Sequence, residues 1–164
     1  MPFTIYDATV PPMIRMLGAL SKILDKAVEQ KGGELAALLE ARLAPDMHPF
    51  PRQIQIASDA AKGCAARLMG VEAPGFPDTE TTFPELKARI ARTIDYLKSA
   101  DPSKFAGAED RQITIKTPNQ TFEMKGREFA TTFALPNFYF HVTTAYGLLR
   151  SKGVQIGKMD YLGG

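Results

Sequence analysis

Met13, Leu17, Leu20, Leu24 and Ala27 recur at steps of four and three, so they draw one apolar stripe down a single helix. Arg15, Lys22, Asp25, Lys26 and Glu29 fill the opposite side. Pro11 and Pro12 suit a first helical turn, where a missing N–H is not needed, and Gly32-Gly33 supplies a stop. The same spacing returns three times. Ile54, Ala57, Ala61, Cys64 and Leu68 mark a second long helix, opened by Pro51 and closed by Gly70. Its stripe is lean, and small residues let a neighbouring helix come close. Phe83, Leu86, Ile90, Ile94 and Leu97 mark a third, which starts at a capping-box pattern of Thr82 and Glu85 and ends near Ser99. Phe138, Val142, Ala145 and Leu149 mark a fourth over Pro136 to Ser151, with an extra turn or two allowed from Arg127 to Ala134.

The intervening segments read differently. A short helical piece over Glu34 to Leu43 leads into a Pro-broken linker around His48, and Val71 to Thr81 reads as a loop. Ile113 and Ile115, then Phe122 and Met124, alternate with polar residues on either side of Thr117-Pro118-Asn119-Gln120, which predicts a β-hairpin over Arg111 to Lys125. The tail from Val154 to Gly164 looks irregular. Four striped helices must bury their stripes against one another. The expected fold is therefore all-α, an antiparallel four-helix bundle with a small β-hairpin between the third and fourth long helices, in one domain over residues 1–164.

Composition narrows the function classes. A chain of 164 residues buries about 70% of its unfolded surface and needs no disulfide or metal to hold a core. A net charge of +2 with scattered Lys and Arg speaks against a nucleic-acid footprint. There is no run of 18 apolar residues to cross a membrane, the residues from Met1 to Thr4 give no expectation of a secretory leader, and the single cysteine, Cys64, cannot form an intrachain disulfide. A cytoplasmic protein is expected. Gly153-Val154-Gln155-Ile156-Gly157-Lys158 falls short of a phosphate loop in spacing and in the residue after the lysine.

Few side chains offer chemistry. Cys64 lies on the apolar stripe, where an unpaired cysteine acts as a small hydrophobe. His48 sits in the linker, as a solvated or partly packed loop residue or a weak metal candidate. At 100° per residue His141 falls about 60° from the centre of the fourth stripe. With Asn137 and Thr144 it makes a polar seam beside the core. That seam either hydrogen-bonds a neighbouring helix or forms a site inside the bundle. Gln53 and Ser58 flank the second stripe on opposite sides. Asp59 falls nearly opposite that stripe, towards solvent, an added element or a second subunit. The dense run Phe138-Tyr139-Phe140 with Tyr146 cannot all face one stripe, which suggests a dimer contact, with cofactor stacking at Tyr146 as the other use.

The stretch Pro136-Asn137-Phe138-Tyr139-Phe140-His141-Val142-Thr143-Thr144-Ala145-Tyr146-Gly147-Leu148-Leu149-Arg150 resembles the signature of a bacterial family of unknown function. So do Ala44-Pro45-Asp46-Met47 with Pro51-Arg52-Gln53-Ile54-Gln55, and the Gly157-Lys158 to Gly163 tail. That family is placed with the DinB/YfiT-like four-helix bundles, often described as candidate metalloenzymes. The resemblance implies the bundle fold. It also implies three metal-binding histidines, one on the second long helix and two on the fourth, one turn apart. His141 can stand for at most one of that pair, because Asn137 and Ala145 hold the positions four residues away and the second helix has no histidine. The resulting expectation is a metal-free bundle with no cofactor, forming a homodimer and binding a small molecule or a protein partner. Two alternatives stay open. One is a divergent, thiol-linked, metal-dependent transferase holding Zn or Ni near His141, with Asn137 and Asp59 as catalytic candidates, Gln53 and Tyr146 as cofactor contacts, and His48 as a second weak ligand. The other is a purely structural module.

Overall fold

A computed structural model describes residues 2–163 of the chain. Its long helices are α1 (Ile5–Lys31), α3 (Phe50–Met69), α4 (Phe83–Lys98) and α6 (Leu135–Ser151), with short α2 (Leu35–Leu39), α5 (Gly126–Glu128) and α7 (Lys158–Leu162). Strands β1 (Gln112–Lys116) and β2 (Thr121–Lys125) form an antiparallel hairpin in which Ile113 faces Met124 and Ile115 faces Phe122. A four-helix bundle with a small antiparallel hairpin is the fold, and every member of the second stripe is fully buried.

Residue pairs give the direction of each helix. Along α3, Gln53 meets His141 while Arg67 meets Phe129, so α3 and α6 run antiparallel. Tyr6 packs on Phe105 while Asp25 pairs with Lys87, so α1 and α4 do too. Phe50 stacks on Phe83 and Ser58 bonds Thr93, so α3 and α4 run in the same direction. Two consecutive neighbours that are parallel need an extended return between them. Residues 71–81 supply it and lie along the α3–α4 groove, from Pro74 beside Lys62 to Glu80 beside Gln55.

Four local expectations are corrected. Helix α1 starts at Thr4, not at the prolines: the Thr4 hydroxyl accepts from the Asp7 N–H at 3.2 Å and the Asp7 carboxylate accepts from the Thr4 N–H at 2.9 Å. This reciprocal cap carries the helix through Pro11 and Pro12. Neither proline is buried, so the carbonyls they release lie near water. The piece after Gly32 is shorter than Glu34 to Leu43: a 3₁₀ turn over Gly32–Glu34 and then α2, ending before Pro45 drives the chain extended. The third stripe is not wholly apolar, since Arg89 and Thr93 are buried while Ile94 is only partly so. The tail is not irregular either. Its α7 docks on α1 through Lys26–Asp160 at 2.6 Å and through Arg15 Nε donating to the Leu162 carbonyl at 3.0 Å.

The hairpin hands over to the last helix at Gly126, whose N–H donates to the Arg111 carbonyl at 2.8 Å. A Cβ there would collide with the Ala108 carbonyl, so only glycine fits. The helix is continuous from Gly126, but Phe129–Ala134 is a π-helical stretch. Pro136 follows at once. It has no N–H to return to Thr132, so regular α-geometry cannot run through this point. Widened turns of this kind are frequent beside functional sites. No helix among the described residues is long and apolar enough to cross a membrane.

Candidate functional site

Helix α3 carries polar side chains into both of its grooves. On the α6 side, Gln53 is 1% exposed and bridges two elements. Its Nε2 donates to the His48 carbonyl at 3.0 Å, and its Oε1 lies 2.6 Å from His141 Nδ1. An amide oxygen only accepts, so Nδ1 carries the proton and Nε2 keeps a lone pair. Burial, then the nearby His48 and Arg52 charges, lower the His141 pKa to about 4. The ring is therefore neutral at neutral pH and can accept a hydrogen bond there.

Asn137, one turn before His141, opens onto a cavity of about 270 Å³. Helix α3 lines it with Arg52, Ile56, Asp59, Ala60 and Arg67, β1 with Ile115, and the π-helical stretch with Phe129, Phe133 and Ala134. The hairpin thus walls the site as well as covering the bundle end. The site residues expected from sequence separate into distinct places. Gln53, His141 and Asn137 fall along the α3–α6 seam. His48 contributes its backbone carbonyl, and its ring is exposed. Asp59 reaches the cavity rim but turns to Arg89 at 2.9 Å and Lys62 at 3.1 Å. Thr144 bonds its own helix through the Phe140 carbonyl at 2.7 Å. Tyr146 stands edge-on to Tyr161 of α7 with ring centres 6.1 Å apart, away from the seam. Of the aromatic run, Phe138 is in the core and Phe140 is left 53% exposed. Cys64 is buried, and desolvation pushes its thiol up to about 12, which leaves it unreactive at neutral pH.

On the α4 side the polar residues form a closed ionic cluster that sequence reasoning missed. Arg89 is 0% exposed. Its Nη2 donates to Asp59 at 2.9 Å, and its Nη1 reaches Asp78 at 3.0 Å, Glu80 at 3.2 Å and the Pro77 carbonyl at 3.1 Å. Lys62, also buried, donates to the Pro74 carbonyl at 3.0 Å, and its Nζ sits 3.7 Å from the Phe76 ring centre. The two cations satisfy the carbonyls of the returning segment, which would otherwise be buried without partners. The available signal was spacing: Arg89 lies three residues after Leu86 and four before Thr93, on the stripe itself.

A metal centre of the kind implied by the superfamily needs about three protein ligands. Among the described residues no group of three or more His, Cys, Asp or Glu side chains is placed to share an ion. One imidazole, with an amide on its other nitrogen, does not fit that requirement.

This four-helix architecture, with a hairpin ahead of the last helix, defines a DinB-like bundle. A crystal structure of a DinB family member protein from Shewanella denitrificans, at 1.83 Å resolution, superposes with a TM-score of 0.89 and 46% sequence identity, over 97% of this chain and 92% of that one. Residues 5–162 match the model of a domain of unknown function, DUF1993, and the chain belongs to that family. Among curated proteins there is no match.

Proposed function

We propose that this chain is a metal-free binding member of its family that takes a small molecule along the α3–α6 seam, where Asn137, one turn before His141, lines the cavity. The observation that carries this reading is the Gln53–His141 hydrogen bond of 2.6 Å. Gln53 lies on the helix where the superfamily places a histidine, and it engages the imidazole itself. The pair becomes a neutral hydrogen-bonding device, with one acceptor at Nε2 and the Asn137 amide a turn away. The measurement is elemental analysis of protein purified without a metal-affinity tag, with His141→Ala beside it. No metal in either sample is expected. About one zinc, nickel or iron per chain, lost in His141→Ala, would replace this reading with the metal-dependent transferase.

A further inference from the structure

Arg67 is the one residue at the cavity whose charge has no counterpart. Arg52, the other cation of the lining, pairs with Asp78 at 2.7 Å. The lining carboxylate, Asp59, is held by Arg89 and Lys62. Arg67 is half-buried, forms no ion pair among the described residues, and lies with Cζ 5.8 Å from the centre of the Phe129 ring. A guanidinium drawn partly out of water is costly without an anion. Its position is built by a neighbour: a Cβ at Gly63, one turn earlier, would collide with Arg67 Nη1. Ile56, Ile115, Phe129 and Phe133 give the cavity an apolar side, and Arg52, Asp59 and Asn137 a polar one.

We propose that the cavity binds a small organic monoanion, a carboxylate with a short apolar body, with Arg67 receiving the carboxylate and the Phe129–Phe133 wall receiving the body. A guanidinium fork matches a carboxylate bidentately, and the unpaired charge is single, which selects a monoanion. The cavity of about 270 Å³ lies at the small end for ligand pockets, which favours a ligand with a short body. This inference rests on the proposal that the α3–α6 seam takes a small molecule.

The experiment is calorimetric titration of the full chain with hexanoate, and with hexanamide as its uncharged counterpart. Hexanoate is expected to bind saturably and hexanamide at least tenfold more weakly. Arg67→Met is expected to lose at least tenfold in hexanoate affinity with an unchanged melting temperature, and Arg67→Lys to recover part of it. Gly63→Ala should remain folded, because the clash is with the end of a flexible side chain, and should weaken hexanoate as the guanidinium is displaced. Equal binding of hexanoate and hexanamide would overturn the anion assignment and leave the small-molecule reading standing. Hexanoate binding that survives Arg67→Met would overturn the site. Binding of neither compound would overturn this proposal.

Discussion

The two grooves of α3 are lined by similar residue types and end in opposite states. In the α3–α4 groove every charge has a partner: Arg89 and Lys62 meet Asp59, Asp78, Glu80 and the carbonyls of the returning segment. In the α3–α6 groove there is a neutral imidazole, a cavity and an arginine without a carboxylate. Closed networks of buried charge hold a chain path. Groups left open at a cavity are available to something else. On this comparison the first groove is structural and the second is where a ligand would act.

The sharpest way to break the comparison is Arg89→Met. It would remove the cation beside buried Glu80 and one of the two cations that hold each of Asp59 and Asp78, and removing one partner of a buried network costs ~3–5 kcal/mol. Chemical denaturation should show that loss, with Arg89→Lys recovering little because one ammonium cannot span the fork. A loss under about 1 kcal/mol would mean that the segment is held by other contacts.

Gln53→Leu tests the other groove. It leaves His141 Nδ1 and the His48 carbonyl without their partner, at a cost of ~1–3 kcal/mol. The same pair gives a pH signature. Because the folded His141 pKa is lowered from 6.5 to about 4, the unfolded chain binds more protons between those values. Stability therefore falls as pH drops from about 6.5 towards 4. Discounted for solvent screening of a half-buried ring, the loss is roughly 1–2 kcal/mol. His141→Gln should flatten that part of the stability–pH curve. An unchanged slope would place the acid sensitivity elsewhere.

The smallest effect belongs to Arg67→Met, whose stability should lie within about 0.5 kcal/mol of the parent. A structural arginine would not behave so. A large loss would move Arg67 into the class of Arg89 and remove the contrast between the grooves.

Much of this was legible in the chain. The stripes of α1 and α3 put every one of their named residues in the core. Thr82 and Glu85 cap α4 as their spacing requires, and the hairpin closes at Thr117 and Gln120. His141 was legible as a polar residue at a stripe edge, and Gln53 as one flanking the facing stripe. Their pairing was not, because an angular position on one helix says nothing about the rotation of its neighbour. Asp59 shows the limit: its place opposite the stripe left solvent, an added element or a second subunit open, and the buried Arg89 that pairs with it comes from another helix.

Local signals in the sequence, namely apolar period, caps, turn residues and glycines at positive φ, determined that this chain makes four long helices and a hairpin. They act over a few residues and need no knowledge of neighbours. Only the tertiary structure decided that α3 and α4 run parallel, that the segment between them fills their groove, and that Arg89 is therefore buried and paired while Arg67 is not. The fate of a charge depends on which groups from distant parts of the chain are packed within hydrogen-bond reach, and that is set by the path of the whole chain.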